Sequence, residues 1–412
     1  MTISTKKIGS AIATGALLLN AFAPLAFADT TITISGNGTK SDNTANVVTA
    51  NTTSVTQTNT ANVTNNVTSN ASTGENKASG NTGGDVTVKT GDAKNTTNVS
   101  TSVNANSANV GNCNNCGGDT NVEISGNGKK STNDVNLTAV NTTAVAQTNN
   151  ATVRNNVDAT AKTGYNKANG NTGGDVMIDT GDATSNATVS TTANANSARV
   201  GGGNGGNGSI SLIISGNGKK SDNDIKFLAT NSVALIQSND ANVKNNVDVE
   251  AKTGGNKANN NTGGDVTVKT GDATSGANVS TLANFNAADV ACGCDMTILA
   301  KEVGNGKEST NDINATVANA LAVVNANTLS LDNCIDANSK TGYNNSNGNT
   351  GEAGSDPFVE TGDATNSTTV NNSANVNVVG SVPAFPTLPA NVSFTANFAA
   401  VWAAWSAFLS IM

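Results

Sequence analysis

The stretch Ala241-Asn242-Val243-Lys244-Asn245-Asn246-Val247-Asp248-Val249-Glu250-Ala251 decides the fold. Ala241, Val243, Val247, Val249 and Ala251 alternate with Asn, Lys, Asp and Glu, the period of two that sends successive side chains to opposite faces of a strand. Val266, Val268 and Thr270 continue the alternation, as do Ala277, Val279, Thr281, Ala283 and Phe285. Asn or Thr-Gly interrupts it about every eight to ten residues, which is the chemistry of turns. The body of the chain carries no helical period, so an all-β fold is predicted.

The pattern is part of a repeat. Gly-Asn-Gly begins at Gly36, Gly126, Gly216 and Gly304, Thr-Gly-Asp-Ala at Thr90, Thr180, Thr270 and Thr361, and Thr-Gly-x-Asn at Thr73, Thr163, Thr253 and Thr341. Steps of about 90 residues define four tandem units, at about 30–119, 120–209, 210–299 and 300–380. The fourth has drifted most: Leu329, Leu331 and Ile335 stand where the third has Ala241, Val243 and Val247.

Two all-β architectures suit such units. One is a string of β-sandwich domains, the other a β-solenoid of the parallel β-helix kind, with coils stacked along one axis. A sandwich fills a gap of about 10 Å between its sheets, usually with large side chains. These units offer mainly Val, Ala and Thr, which suit a narrow interior, and between residues 30 and 380 the aromatics are only Phe227, Phe285, Phe358, Tyr165 and Tyr343. Some 70 residues are Asn and nearly 60 are Thr, far above ordinary usage. Identical amides stacked at the strand spacing of about 4.8 Å bond up and down a ladder. Asn65-Asn66, Asn155-Asn156 and Asn245-Asn246 occupy one position of successive units and read as bend or ladder positions; for most other Asn a solvated turn is expected. With coils of about 20 residues, the body is predicted to form a rod roughly 80–100 Å long.

The chain has no His, which removes the commonest general base and transition-metal ligand and excludes Ser/His/Asp and Cys/His catalysis. A net charge of −8 argues against nucleic-acid binding through phosphate neutralisation. Residues 1–28 read as an export signal, with Lys6 and Lys7, an apolar run from Ile8 to Ala23 and Ala26-Phe27-Ala28 before Asp29. Residues 29–380 form the repeat body. Residues 381–397 are a linker stiffened by Pro383, Pro386 and Pro389, and 398–412 an apolar, aromatic tail. In that tail Phe398, Trp402, Trp405 and Leu409 fall on one helical face, with Phe408 beside them. It reads as a cap over one end of the body or as an interfacial anchor making peripheral membrane contact.

The five Cys are Cys113, Cys116, Cys292, Cys294 and Cys334. The first four lie in pairs at unit junctions and, outside the cytoplasm, suit local disulfides; Cys334 replaces the second Asn of an Asn-Asn pair and leaves an odd thiol. The Gly-Asp acids Asp85, Asp92, Asp175, Asp182, Asp265 and Asp272 read as turn residues, or as a column of weak Ca²⁺ candidates if their loops stack. No other cofactor is expected. No acid pair is marked out from its copies, so no catalytic residue is assigned.

Gln57-x-Asn59-x-Ala61-x-Val63, Gln147-x-Asn149-x-Ala151-x-Val153 and Gln237-x-Asn239-x-Ala241-x-Val243 resemble the Gln/Asn/Ala/Val coils of curlin-type secreted fibre subunits. More broadly, residues 30–380 resemble Asn/Thr/Gly-rich surface repeat proteins of bacteria. The resemblance implies a self-associating extracellular fibre subunit, although Asn stands here where a second Gln usually closes a curlin coil.

The expectation is a secreted, non-enzymatic structural protein of the cell surface: a stalk, fibre or extracellular-matrix and adhesion element. Its partners would be further copies of itself or cell-envelope components. The alternative is a repetitive surface that binds polysaccharide, less so ice or calcium; a polysaccharide-cleaving β-helix ranks last.

Overall fold

A computed structural model describes residues 29–111, 119–201, 209–291, 297–351, 354 and 357–380. The export signal, the linker and the apolar tail lie outside the described residues. Among the described residues sixteen strands run in four groups of four. The first unit holds β1 (Thr30–Ser35), β2 (Asp42–Ser72), β3 (Val86–Thr90) and β4 (Ala93–Val110). The second holds β5 (Thr120–Ser125), β6 (Thr132–Lys162), β7 (Val176–Thr180) and β8 (Ala183–Gly201). The third holds β9 (Ser209–Ser215), β10 (Asp222–Lys252), β11 (Val266–Thr270) and β12 (Ala273–Ala291). The fourth holds β13 (Thr297–Val303), β14 (Thr310–Lys340), β15 (Phe358–Glu360) and β16 (Ala364–Val379).

Equivalent strands of successive units pair in parallel, giving four sheets of four strands each. Val63 lies beside Val153, Val153 beside Val243, and Val243 beside Leu331. The body is thus a β-solenoid of four tandem units, as the Val/Ala/Thr interior predicted.

The coil, however, is far longer than expected. The register steps by 90 residues between the first three units and by 88 or 91 into the fourth, so each unit is a single coil. A rod of four or five short coils per unit is not what forms. A 31-residue strand such as β2 has a contour near 100 Å at about 3.3 Å per residue, while four stacked strands span only about 14 Å between outer backbones. The long dimension lies along the strands, not along the stack. The reason is visible at Asn65, Asn155 and Asn245. These residues resemble turn punctuation in the sequence, yet the neighbouring coil satisfies their amides and the strand runs straight through them.

Each coil folds into two layers around a thin core. The inward side chains of β6 and β10 meet the first sheet at one end, where Leu137 and Phe227 pack with Ile124 and Ile214. Further along they meet the fourth sheet: Val145 and Leu235 pack with Val200 and Ala288, and Val157 and Val247 with Val189 and Val279. Ala161 and Ala251 pack with Ala183 and Ala273. The third sheet closes the far end over Ala168 and Ala258.

Two backbone devices are repeated in every coil. Asn104, Asn194, Asn284 and Asn375 all have positive φ, 58° to 61°, a region that Asn tolerates better than most residues. Before this kink the inward residues of β4 are odd-numbered (Ala93 to Thr101); after it they include Asn104, Asn106, Ala108 and Val110. Gly74, Gly164, Gly254 and Gly342 form the second device. A Cβ on Gly164 would lie 2.2 Å from the Gly254 carbonyl oxygen, so only Gly allows the coils to approach there.

Candidate functional site: amide ladders and open coil edges

The polar residues of this protein are arranged in columns. Among the described residues eight inward Asn columns are hydrogen-bonded side chain to side chain through all four coils, starting at Asn37, Asn43, Asn59, Asn65, Asn76, Asn81, Asn104 and Asn106. In the Asn65 column each Nδ2 donates to the Oδ1 above it at 2.7 Å, through Asn155 and Asn245 to Asn333. The Asn37 column runs through Asn127 and Asn217 to Asn305 at 2.8, 2.9 and 3.1 Å. The Asn43 column ends at Asn311 and the Asn59 column at Asn327. The Asn76 and Asn81 columns end at Asn344 and Asn349. The Asn104 and Asn106 columns end at Asn375 and Asn377.

Two features follow from this arrangement. Asn133, Asn149, Asn155, Asn166, Asn194 and Asn196 are at most 1% exposed, so they are core residues and not the solvated turns expected for most Asn. Their second N–H is also used: Asn155 donates to Thr191 Oγ1 at 3.1 Å and Asn149 to the Ala195 carbonyl at 3.0 Å. Moreover, all eight columns share one polarity, with the amide nitrogen of each coil donating to the next coil in sequence. The first coil therefore ends in amide oxygens and the fourth in amide nitrogens. The Nδ2 of Asn344 is buried and has no partner among the described residues.

Gln147 and Gln237 form a ninth column with Gln57, of opposite polarity, at 2.7 and 2.8 Å. In the fourth coil Asn325 replaces Gln and is one methylene shorter, and the buried Oε1 of Gln237 has no partner among the described residues. The sequence signal for these columns was the recurrence of each amide at the unit period. Which face each one occupied was not readable.

The Asp candidates are also in columns. Asp175 donates its backbone N–H to Asp85 Oδ1 at 2.9 Å and Asp265 to Asp175 at 2.8 Å. Asp182, Asp272 and Asp363 repeat this with Asp92, Asp182 and Asp272. Each carboxylate thus caps the next turn. Among the described residues no three Asp, Glu, Cys or His side chains gather as a metal site. Cys334 is an exposed free thiol beside Asn246 on the outward face of β14. Cys113, Cys116, Cys292 and Cys294 lie outside the described residues, as do Phe398, Trp402, Trp405, Phe408 and Leu409.

On the outward face of the long sheet the charges lie towards the two ends, and the rows from Val48 to Thr58 and their partners carry none. Asp158, Asp248 and Asp336 form a like-charged column. Partial burial, then Asp336 and Asp158, raise the pKa of Asp248. Burial, then Asp224, does the same to Asp134. A hydrogen bond to Asp224 raises the pKa of Lys226. At Glu250 partial burial acts upward, but hydrogen bonds and charge from Lys252 and Lys162 outweigh it and the pKa falls.

Other columns alternate in sign. Lys89, Asp179, Lys269 and Glu360 are neighbours, with contacts of 3.2 Å for Lys89–Asp179 and 3.0 Å for Lys269–Glu360. Lys40, Lys130, Lys220 and Glu308 occupy one turn position with positive φ, and Lys220 meets Glu308 at 3.1 Å.

Among the described residues both ends of the stack are open edges. On the first coil Thr52, Thr56, Thr58, Thr60, Thr64 and Thr68 form an exposed outward row. Thr90, at the end of β3, is buried, with 6% exposure. On the fourth coil Ile298, Leu299, Leu321, Phe358 and Val379 are exposed. No family model, curated protein or solved structure matches this chain.

Proposed function

We propose that this protein is a secreted, non-enzymatic structural element of the cell surface or extracellular matrix. The observation that carries this reading is the fate of its polar side chains. Eight Asn columns and two Asp columns bond coil to coil, repeated at every step, and do not converge on one pocket. A catalytic or ligand site ordinarily collects a few different groups at one place. Here like groups recur at every coil in separate places: three of the eight Asn columns lie on the 31-residue strands, two on the fourth sheet, and three in the connecting turns. Such an arrangement stiffens the body: every amide left unpaired in the core would cost about 1–3 kcal/mol, so the coils separate only together. The Lys-containing acidic faces discourage sideways association.

Immunogold labelling of intact cells, combined with deletion of the gene, tests the role. Surface label and a weakened or poorly adherent envelope in the deletion strain are expected. Confinement of the protein to the cytosol would overturn it.

A second reading is a polysaccharide-binding surface, favoured by the exposed Thr row of the first coil. Co-sedimentation with insoluble polysaccharide, lost on replacing Thr56, Thr58 and Thr60 by Val, would favour that reading.

A further inference from the structure

We infer that copies of this chain stack head to tail, the fourth coil of one on the first coil of the next, so that the coil ladder continues through a polar filament. The inference rests on the structural role proposed above and names its partner, a second copy.

The argument starts from ladder polarity. Because Nδ2 donates from each coil to the next in all eight inward Asn columns, the two ends are chemically different. The fourth coil presents Asn305, Asn311, Asn327, Asn333, Asn344, Asn375 and Asn377 at the donor end, together with Asn349, whose two N–H groups bond the Ala258 carbonyl and Ser346 Oγ within the chain. The first coil presents Asn37, Asn43, Asn59, Asn65, Asn76, Asn81, Asn104 and Asn106 as acceptors. Every column has an Asn at both ends, so a fourth-on-first junction repeats the contacts inside the body. Two first coils face to face would oppose oxygen to oxygen, and two fourth coils nitrogen to nitrogen. The Nδ2 of Asn344, which has no partner among the described residues, lies at this donor end, and its column would continue on Asn76 of the next copy.

Charge agrees independently. Across a head-to-tail junction Glu308 meets Lys40 of the next copy, as it meets Lys220 within the chain at 3.1 Å. Glu360 meets Lys89, extending the alternation Lys89, Asp179, Lys269, Glu360. The like-charged columns are interrupted: Asp312 meets Thr44, Asp336 meets Thr68 and Lys340 meets Ser72. Asp363 meets Asp92, a pairing that the body already makes between Asp182 and Asp272 through a backbone N–H.

The junction is weaker than the steps inside the body. Val86 and Val176 each donate an N–H to the coil above; Pro357 stands at that position in the fourth coil and has none. Glu302 occupies the inward row of Ile34, Ile124 and Ile214. The long sheet and the fourth sheet would therefore carry the contact, and filaments would come apart into single copies before the coils unfold.

Cryo-electron microscopy and sedimentation of the full chain over a concentration series test this. Filaments with an axial rise of about 19 Å per copy are expected, four strand spacings of about 4.8 Å, with all copies in one direction. The variant Lys40→Glu places a carboxylate against Glu308 across the junction, while within the chain it relieves the Lys40–Lys130 repulsion. It should raise the critical concentration several-fold at low salt, with wild-type unfolding behaviour, and salt should narrow the difference. A chain monomeric at every concentration reached, filaments of another rise or mixed direction, or a K40E variant that assembles like wild type would overturn the inference. Monomers found at the cell surface would do so while leaving the structural role intact; an intracellular protein would remove that role whatever its assembly.

Discussion

The interior ladders make a sharp prediction at two adjacent residues, Asn155 and Asn156. Asn155 is 1% exposed, accepts from Asn65 at 2.7 Å and donates to Asn245 at 2.7 Å and to Thr191 at 3.1 Å. Asn156 lies on the outward face and accepts from Asn246 at 2.8 Å. In Asn155→Asp the neutral acid can still donate its O–H to Asn245, losing only the bond to Thr191, a penalty of about 1 kcal/mol. At neutral pH the site must either bury a carboxylate that faces Asn245 Oδ1 or keep it protonated. Holding an Asp neutral at pH 7 against an unfolded pKa near 3.9 costs about 1.4 kcal/mol per pH unit, about 4 kcal/mol in all.

The sign follows directly. The folded-state pKa of the new Asp is raised, so stability is retained below the unfolded pKa and lost as pH rises towards the folded one. N155D should therefore lie about 1 kcal/mol below wild type near pH 3 and about 5 kcal/mol below it at pH 7. N156D keeps its acceptor in water and should stay within about 0.5 kcal/mol at both. Urea unfolding followed by circular dichroism at the two pH values measures the differences. An N155D penalty under 1 kcal/mol at pH 7, or one independent of pH, would refute the assignment of Asn155 to a dry, bonded column.

Other perturbations separate the remaining parts of the fold. Gly164→Ala places a Cβ 2.2 Å from the Gly254 carbonyl oxygen and should prevent native stacking, read as loss of the folded circular dichroism spectrum. Gly170→Ala, with φ of 65° and nothing within 4 Å, should cost only about 1–2 kcal/mol in urea unfolding. Leu235→Ala empties a fully buried site packed by Val145 and Val200, and a loss of about 2–5 kcal/mol is expected. Leu321→Ala at the exposed edge should fall below about 1 kcal/mol; equal losses would mean that the edge is covered in solution. Asp248→Asn removes the middle charge of the column whose repulsion and partial burial raise the Asp248 pKa. The stability that this Asp contributes is present below the ordinary carboxylate range and is lost as pH rises through its folded pKa. D248N should therefore melt above wild type at pH 7, with the gain vanishing below about pH 3.

The sequence by itself determined the all-β class, the four units and the choice of solenoid over sandwich. These rest on local facts: period-two alternation around Val243 and Val247, recurrence of Gly-Asn-Gly and Thr-Gly-Asp-Ala, and Val, Ala and Thr too small to fill a sandwich gap. It also offered Asn65, Asn155 and Asn245 as bend or ladder positions, because a ladder needs the same amide at the same place in each repeat. Tertiary structure decided the rest. Whether an Asn ends a strand or lies inside one depends on a partner in the next coil, about 90 residues away, which no local pattern reports. Thus the coil is one unit long and not a quarter of one. The inward placement of Asn104 and Asn106 rests on a kink that only the backbone reveals. The shared polarity of the columns also required the structure, because Asn has the same name whichever way its amide points. Side-chain direction is fixed by neighbours across the stack, and from it comes the difference between the two ends of the body.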